Sequence, residues 1–186
     1  MMSKARIFEG RYNNMADNKV LVVMGSDSDF PVMEGCFKML DKFGVEFKAM
    51  VASAHRTPYK AMALARSAED DGFKVIIAAA GLAAHLGGVL AANTALPVIG
   101  VPCKGGALAG VDALYATVQM PTGIPVATVA IDGGSNAAIL ACQMLAISDP
   151  DLMQKIKDYK AGLADSVEER DARLQLKIAE MHKTEN

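Results

Sequence analysis

The stretch Val75-Ile-Ile-Ala-Ala-Ala80 is a continuous run of apolar residues, and it decides the fold class of this chain. A strand with helices on both faces has such a run, whereas a strand with one solvated face alternates apolar and polar residues. The segments Val20–Met24 and Pro97–Val101 have the same apolar character. Strands buried on both faces are typical of parallel sheets, so the sequence predicts an α/β protein.

Segments with helical spacing or helix-start signals separate these strands. Phe30–Phe43 has apolar residues at helical spacing and ends at Gly44, and Thr57-Pro58 predicts a helix with threonine as N-cap, running to about Asp71. We also predict strands at Glu46–Val51 and Val126–Ile131, and helices at His85–Ala92, Val111–Val118 and Asn136–Ile147. This alternation predicts a flavodoxin-like, doubly wound parallel five-stranded sheet in three α/β/α layers.

Composition narrows the classes of function. The chain has 186 residues, 52% of them hydrophobic, a net charge of −2 and no tryptophan. The charge balance and the low aromatic content argue against a nucleic-acid partner, and no apolar run approaches the roughly 18 residues of a membrane span. The three cysteines form no CxxC motif, so we expect reduced thiols, no zinc site and a cytoplasmic location.

Three segments follow from these patterns. Residues 1–18 are predicted to be a flexible polar leader, in which Met15 is an alternative start, and residues 19–148 a catalytic α/β domain. Residues 149–186 are predicted to form a helical extension, with one long helix from Asp149 to about Lys183 that is too long for one compact domain. We expect its apolar stripe to pack on a neighbouring subunit, a loosely held tail being the alternative. The stripe consists of Leu152, Ile156, Tyr159, Leu163, Val167, Leu174, Ile178 and Met181.

The loop after the first strand has the features of an anion site. Ligands of open α/β sheets bind beyond the carboxyl ends of the strands. There Gly25-Ser26-Asp27-Ser28-Asp29 should place two hydroxyls and free backbone N–H groups at a helix N-terminus, which suits a phosphate. An ordinary helix cap explains the same residues. Asp29 is predicted either to cap the helix or to accept a hydrogen bond from a ribose hydroxyl.

The loops after the second and third strands add acid/base groups. In Ser53-Ala-His55-Arg56, the Arg56 guanidinium suits a phosphate, Ser53 adds a hydroxyl donor, and His55 can move a proton near neutral pH. His85 follows the neighbouring strand. A capped surface loop and a structural histidine are the alternatives. Two histidines favour acid/base chemistry over zinc, which needs three or four ligands. The third histidine, His182, has no predicted role.

Several ordered motifs resemble the class I form of the N5-carboxyaminoimidazole ribonucleotide mutase (PurE) family of de novo purine biosynthesis. They are Met24–Asp29, Ser53–Pro58, Ala83–Leu86, Pro97–Pro102, Gly110–Asp112 and Gln119–Pro125, and the resemblance extends from about Lys19 to Tyr159. The related class II typically has lysine after Ser-Ala-His and an Arg-Ser-Asn-type sequence after the third strand. Arg56 and Leu82-Ala-Ala-His85 stand there instead and favour class I. Gly87 and Lys104-Gly-Gly106 depart from the usual class I pattern.

The resemblance implies an isomerase that converts N5-carboxyaminoimidazole ribonucleotide to 4-carboxy-5-aminoimidazole ribonucleotide in IMP biosynthesis. It further implies a homo-octamer, a small-molecule ribonucleotide substrate, no metal and no organic cofactor. A class II carboxylase that uses CO2 directly and a non-enzymatic flavodoxin-like nucleotide-binding module are the alternatives. Carried over by motif, the catalytic residues are His55, the acid/base, and His85, near the transferred carboxylate. The substrate-binding residues are Ser26, Ser28, Asp29, Ser53, Arg56, Ala80, Gly81 and Leu86.

Overall fold

Five parallel strands form one sheet in the computed structural model, which describes residues 20–184 and the side chains of residues 20–181. The order of the strands is β2-β1-β3-β4-β5, and every neighbouring pair is parallel. This is the flavodoxin-like order, with the switch point between β1 and β3, so the predicted fold class is confirmed. The strands are β1 (Val20–Met24), β2 (Phe47–Val51), β3 (Val75–Gly81), β4 (Val98–Cys103) and β5 (Ala127–Thr128).

Helices alternate with the strands along the chain, and two more follow the last strand. They are α1 (Phe30–Phe43), α2 (Pro58–Ser67), α3 (Leu86–Ala91), α4 (Val111–Val118), α5 (Gly134–Ala146) and α6 (Pro150–Thr184). Pro58 is the first residue of α2, as predicted, because its fixed φ suits that position and its missing N–H is not needed there. Gly44 ends α1 in the left-handed conformation (φ 70°), as its place after the apolar pattern predicted.

The central strands are buried on both faces, as the apolar runs predicted. Every residue of β1 and β4 is buried, and so are the first five residues of β3. Alternate residues point to opposite faces. On one face, Leu21, Val23 and Ile76 pack in a cluster that includes apolar residues of α2 and α3. This packing fixes the carboxyl ends of four strands at one edge of the sheet, where the polar loops emerge.

The fifth strand is much shorter than predicted. It comprises only Ala127–Thr128, whereas the sequence pattern extended from Val126 to Ile131. Beyond it, Val129 N–H still donates to the carbonyl of Gly100, and Asp132 N–H donates to the carbonyl of Pro102. Asp132 has a positive φ of 58°, which turns the chain out of the extended conformation. The segment therefore follows β4 without forming a regular ladder.

The described chain divides into two compact units, one ending at Leu145 and the other beginning at Ala146. The second unit contains the predicted long helix, α6, which has 35 residues and spans about 50 Å. Asp149 caps it by accepting a hydrogen bond from Leu152 N–H at 3.0 Å. Leu152 and Ile156 are buried, whereas the later stripe residues Leu163, Val167, Leu174, Ile178 and Met181 are exposed in the single chain. The packing of this stripe on a neighbouring subunit stays a prediction.

Two further predictions concern residues outside the described limits. The leader, residues 1–18 with Met15, and the side chain of His182 lie outside the described residues. Among the described helices, none combines the length and the apolar character needed to cross a membrane.

The three cysteine thiols are free and buried. They lie on α1 (Cys36), at the end of β4 (Cys103) and on α5 (Cys142). Burial raises the pKa of Cys36 and of Cys103 to about 12 and the pKa of Cys142 to about 11. Desolvation disfavours the charged thiolate, so all three remain protonated at neutral pH.

Candidate active site

A cavity of about 710 Å³ lies at the carboxyl edge of the sheet. It extends from the loop after β2 to the loop after β4, which are about 14 Å apart at the usual spacing of strands. Both the volume and the length suit a small ligand. Nine of the ten predicted site residues line this cavity: Ser26, Ser28, Asp29, Ser53, His55, Arg56, Ala80, Gly81 and Leu86. The tenth, His85, contacts His55 through its ring.

The loop after β1 forms a closed network of its own hydrogen bonds. Ser26 N–H donates to Asp29 Oδ2 at 3.0 Å, and Ser28 N–H donates to Ser26 Oγ at 3.3 Å. Gly25 N–H and Asp29 N–H donate to carbonyls of Ala79 and Ser26. The expectation of free backbone N–H groups is therefore wrong for these four residues, because each N–H already has an acceptor within the loop or on β3. The Ser26 hydroxyl donates to Asp27 Oδ1 at 3.1 Å, which leaves the Ser28 hydroxyl as a side-chain donor for a ligand.

Asp29 lies at the start of α1, but its carboxylate does not cap that helix. It reaches back to the Ser26 N–H and thereby stabilises the 3-10 turn Asp27–Asp29. Burial raises the pKa of Asp29, and the backbone hydrogen bonds to its carboxylate oppose the rise. The neighbouring charge of Asp27 raises the pKa of Asp29 further, and Arg56 lowers it to a smaller extent.

The loop after β2 is organised around Ser53. Its Oγ accepts hydrogen bonds from the backbone N–H groups of His55 (3.3 Å) and Arg56 (3.1 Å). Thr57, the predicted N-cap of α2, occupies the N-cap position without a capping side-chain bond. Its Oγ1 instead accepts from Ser53 N–H at 2.8 Å and donates to the Ser53 carbonyl. Ser53 thus fixes the backbone of the histidine and the arginine while its own hydroxyl proton can still be donated.

Arg56 connects the first two loops. Its Nη2 lies 3.4 Å from the carbonyl oxygen of Gly25, to which it donates a hydrogen bond. The guanidinium therefore lies beside the Ser26–Asp29 loop although it belongs to the loop after β2. Its remaining N–H donors can serve a bidentate anion such as a phosphate. The structure thus brings together the arginine and the serine hydroxyls that the sequence assigned to an anion.

His55 and His85 form a hydrogen-bonded pair. His55 Nε2 lies 2.8 Å from His85 Nδ1, and the two rings meet edge to face with centroids 4.9 Å apart. Such a bond needs one nitrogen that carries a proton and one that does not. The pair therefore shares one proton between His55 Nε2 and His85 Nδ1. Both rings are exposed. This juxtaposition of residues thirty positions apart favours the acid/base interpretation over two independent structural histidines.

Sequence reasoning missed part of the cavity wall. Leu82, Ala83, Lys104, Gly105 and Gly106 also line it. Lys104 N–H donates to Asp132 Oδ1 at 2.7 Å, which anchors the loop after β4 to the segment after β5. The sequence places Lys104 and the two glycines after the fourth strand, at the edge where the other polar loops collect, but none of the three was predicted as a site residue. Their position directly after a central strand was the signal that would have placed them at the site.

No three His, Cys, Asp or Glu side chains within the described part of the chain cluster closely enough to hold a metal ion. The groups that converge are instead hydroxyls, one arginine, one lysine and two imidazoles. Fold and site together define a flavodoxin-like α/β protein whose cavity at the switch point is lined by serine hydroxyls, an arginine and a histidine.

The chain belongs to the AIR carboxylase family, whose model matches residues 19–166. It is 51% identical over 164 residues to a protein of Pyrococcus horikoshii named N5-carboxyaminoimidazole ribonucleotide mutase, a match that covers 87% of this chain and 93% of that one. It is also 51% identical to a Candida glabrata protein named phosphoribosylaminoimidazole carboxylase, covering 83% of this chain but only 27% of that one. A crystal structure of Treponema denticola PurE superposes with a TM-score of 0.76 at 29% identity and covers 83% of this chain and 97% of that one.

Proposed function

We propose that this protein is a mutase that converts N5-carboxyaminoimidazole ribonucleotide to 4-carboxy-5-aminoimidazole ribonucleotide in purine (IMP) biosynthesis. The observation that carries the proposal is the His55–His85 pair, with Nε2 and Nδ1 2.8 Å apart, at a cavity that also contains an arginine beside serine hydroxyls. The Pyrococcus relative, which matches over nearly its full length, is named for the same reaction.

The β1 and β2 loops are the proposed site of the ribose phosphate. Arg56 supplies the positive charge, and the hydroxyls of Ser28 and Ser53 can donate within the same cavity. Ser26 also lines the cavity, but its hydroxyl already donates to Asp27 Oδ1 at 3.1 Å. Asp29, which is half-buried and already accepts the Ser26 N–H, is the proposed acceptor for a ribose hydroxyl. Anchoring the phosphate here aligns the imidazole ring for reaction at the other end of the cavity.

The proposed reaction moves a carboxylate from the exocyclic nitrogen to C4. The N–C bond breaks, its electron pair returns to nitrogen, and His55 protonates that nitrogen as CO2 forms. C4 of the electron-rich imidazole then attacks CO2, and His55 takes the proton from C4. The net change is redox-neutral, and every proton transfer has a group in the chain, so the scheme calls for no cofactor. Ala80, Gly81 and Leu86 would surround the CO2. His85 would keep the transferred proton on His55 through the hydrogen bond between the two rings.

Two alternatives are distinguished by their substrates. A class II carboxylase forms the same product from aminoimidazole ribonucleotide and CO2, whereas a nucleotide-binding module forms no product. Arg56 and Leu82-Ala-Ala-His85 favour the mutase over the carboxylase. A hydrogen-bonded histidine pair is more than recognition of a phosphate requires, which favours an enzyme over a binding module.

The decisive experiment offers the purified protein each substrate in turn. We expect rapid formation of the C4-carboxylated product from N5-carboxyaminoimidazole ribonucleotide at a rate that does not depend on added bicarbonate. We expect slow formation from aminoimidazole ribonucleotide unless CO2 is abundant. Samples without enzyme correct for spontaneous decarboxylation. A rate that requires added bicarbonate identifies the carboxylase, and binding without product identifies the binding module.

We further propose a cytoplasmic homo-octamer in which α6 packs on a neighbouring subunit. The support is the exposed apolar side of α6, with Leu163 51% and Leu174 52% exposed in the single chain. Truncation after Ala161 retains the buried Leu152 and Ile156 and removes the exposed stripe. Sedimentation should detect a smaller assembly for the truncated protein. An unchanged assembly would contradict a role of α6 between subunits.

A further inference from the structure

Leu82 has a backbone conformation that leucine rarely adopts. Its φ is +55°, in the left-handed region that favours glycine, because a β-carbon there approaches the neighbouring carbonyl. Its side chain is 55% exposed in the single chain, although it is large and apolar. Strained residues of this kind persist where the surrounding structure holds them and are found disproportionately at ligand sites. Leu82 lines the cavity, so its side chain borders the space in which substrate would bind.

The Leu82 side chain meets the backbone of Gly106 across the cavity wall. A β-carbon at position 106 would lie 2.6 Å from Leu82 Cδ2, closer than any real side chain tolerates. Gly106 itself has a φ of +60°. Gly106, which has no side chain, therefore leaves room in the loop after β4 for the Leu82 side chain from the loop after β3. The two loops therefore meet at this point, where Leu82 contributes an apolar side chain to the cavity wall.

Leu82 is tied directly to the histidine pair through a tight turn. Ala84 N–H donates to the Leu82 carbonyl at 2.9 Å, and His85 N–H donates to the Ala83 carbonyl at 2.8 Å. The apolar contact and His85 are therefore parts of one short structure after β3. In the proposed function, this is the end of the cavity where the carboxylate is released and recaptured.

We propose that Leu82 determines the fate of the CO2 formed in the reaction by closing the apolar end of the cavity over it. The inference rests on the proposed function and adds a residue that controls product partition. CO2 has no charge and no net dipole, so an apolar wall confines it without a specific hydrogen bond. Once the N–C bond is broken, the CO2 either accepts the electron pair of C4 or diffuses away. Escape leaves aminoimidazole ribonucleotide, whose nitrogen has kept the proton from His55.

The test follows the carboxyl carbon. Substrate carrying ¹³C in its carboxylate is converted in buffer with unlabelled bicarbonate, and both the label in the product and the yield of aminoimidazole ribonucleotide are measured. The wild-type protein should retain the label. Leu82→Gly should increase the share of turnovers that lose it about fivefold, which corresponds to about 1 kcal/mol between the two fates. Leu82→Met, which keeps a long apolar side chain, should retain the label.

Two further variants keep the result interpretable. Leu108→Gly removes another exposed leucine that does not line the cavity, and it should leave the partition unchanged. Leu82→Ala truncates the side chain without adding a glycine and replaces Leu82→Gly if that variant does not fold. Loss of label in both truncations, but not in Leu82→Met, supports the inference.

Failure of the inference is distinct from failure of the proposed function. If the wild-type protein forms no product from the carboxylated substrate, the proposed function is overturned. If it forms product and Leu82→Gly retains the label equally well, Leu82 does not confine CO2. Complete exchange of label in the wild-type protein likewise overturns the role of Leu82.

Discussion

The two halves of the cavity are built in different ways. On the β1 and β2 side, short-range hydrogen bonds within Gly25–Asp29 and Ser53–Thr57 hold polar groups in place. On the β3 and β4 side, two positive-φ residues, Leu82 and Gly106, meet across loops that are distant in sequence. The first half is a polar frame for an anion. The second half is an apolar enclosure beside a histidine.

The two halves suit two different requirements of the proposed substrate, which are binding of its phosphate and confinement of the CO2 that it releases. Holding a charged phosphate requires fixed donors, and local turns can supply these because serine and threonine bond to their own backbone. Confining an uncharged fragment requires contact from several directions, which only tertiary packing provides. Substitutions in the first half should therefore weaken binding of substrate, and substitutions in the second half should change what happens to it after binding.

The largest effect is expected where the two halves meet, at His55. His55→Asn retains a planar polar side chain but loses the titratable nitrogen, so turnover should fall by a factor of about 10²–10⁴. Because the phosphate contacts of the first half remain, affinity for the product should change little. Single-turnover kinetics and calorimetric titration with product measure the two quantities separately. Near-normal turnover would remove His55 from the proposed chemistry.

Arg56→Lys tests the polar half. A lysine ammonium is a point charge and cannot reproduce the bidentate fork, so KM should rise. Loss of a charge-assisted bond of about 1.5–3 kcal/mol corresponds to roughly 10-fold to 150-fold weaker binding. Lys104→Met, which removes the charge altogether, tests the other end of the cavity. Because Lys104 is exposed, KM should rise only about fivefold or less, and less at high salt.

The ratio between these two variants sharpens the comparison. A larger increase of KM for Lys104→Met than for Arg56→Lys would place the main anion contact at the β4 end and reverse the assignment of the two halves. Steady-state kinetics at two salt concentrations distinguishes the outcomes, with thermal unfolding as a check on folding.

The smallest effect concerns the stability of the β1 loop. Burial raises the pKa of Asp29, so the folded state binds the proton more tightly than the unfolded chain does. That stabilising contribution is present in acid and is lost as the pH rises through the raised pKa. Asp29→Asn is neutral throughout, so the unfolding free energy of the variant should rise relative to that of the wild type as the pH increases from about 4 through the raised pKa of Asp29. Urea unfolding across this range measures the difference, and a constant difference would contradict the effect of burial.

Local patterns predicted the fold and most of the site. The apolar runs at β1, β3 and β4 require burial on both faces, and the alternation with helices then allows few topologies. The site residues after β1 and β2 could be predicted because the polar and titratable residues are adjacent in the sequence, as in Ser53-Ala-His55-Arg56. Their convergence at one edge follows from the parallel direction of the strands.

Contacts between distant loops were not predictable in this way. Three contacts join residues far apart in sequence. They are the hydrogen bond between His55 and His85, the contact of Leu82 with Gly106, and the hydrogen bond from Lys104 N–H to Asp132. Each depends on the exact course of two loops, which no periodicity encodes. β5 is a similar case, because its ladder with β4 ends at Thr128 although the composition up to Ile131 favours a longer strand.

The three buried thiols are natural probes for the unfolding of this protein, so no reporter residue has to be introduced. Cys36, Cys103 and Cys142 lie on three different elements, and each is held protonated by burial. An alkylating reagent attacks the thiolate, so it must wait until an element opens. Mass spectrometry of the partly alkylated protein would then time the opening of α1, β4 and α5 separately. Cys103 is the last residue of β4 and directly precedes Lys104, which lines the cavity. Its alkylation would report how often the end of β4 beneath the cavity unfolds locally.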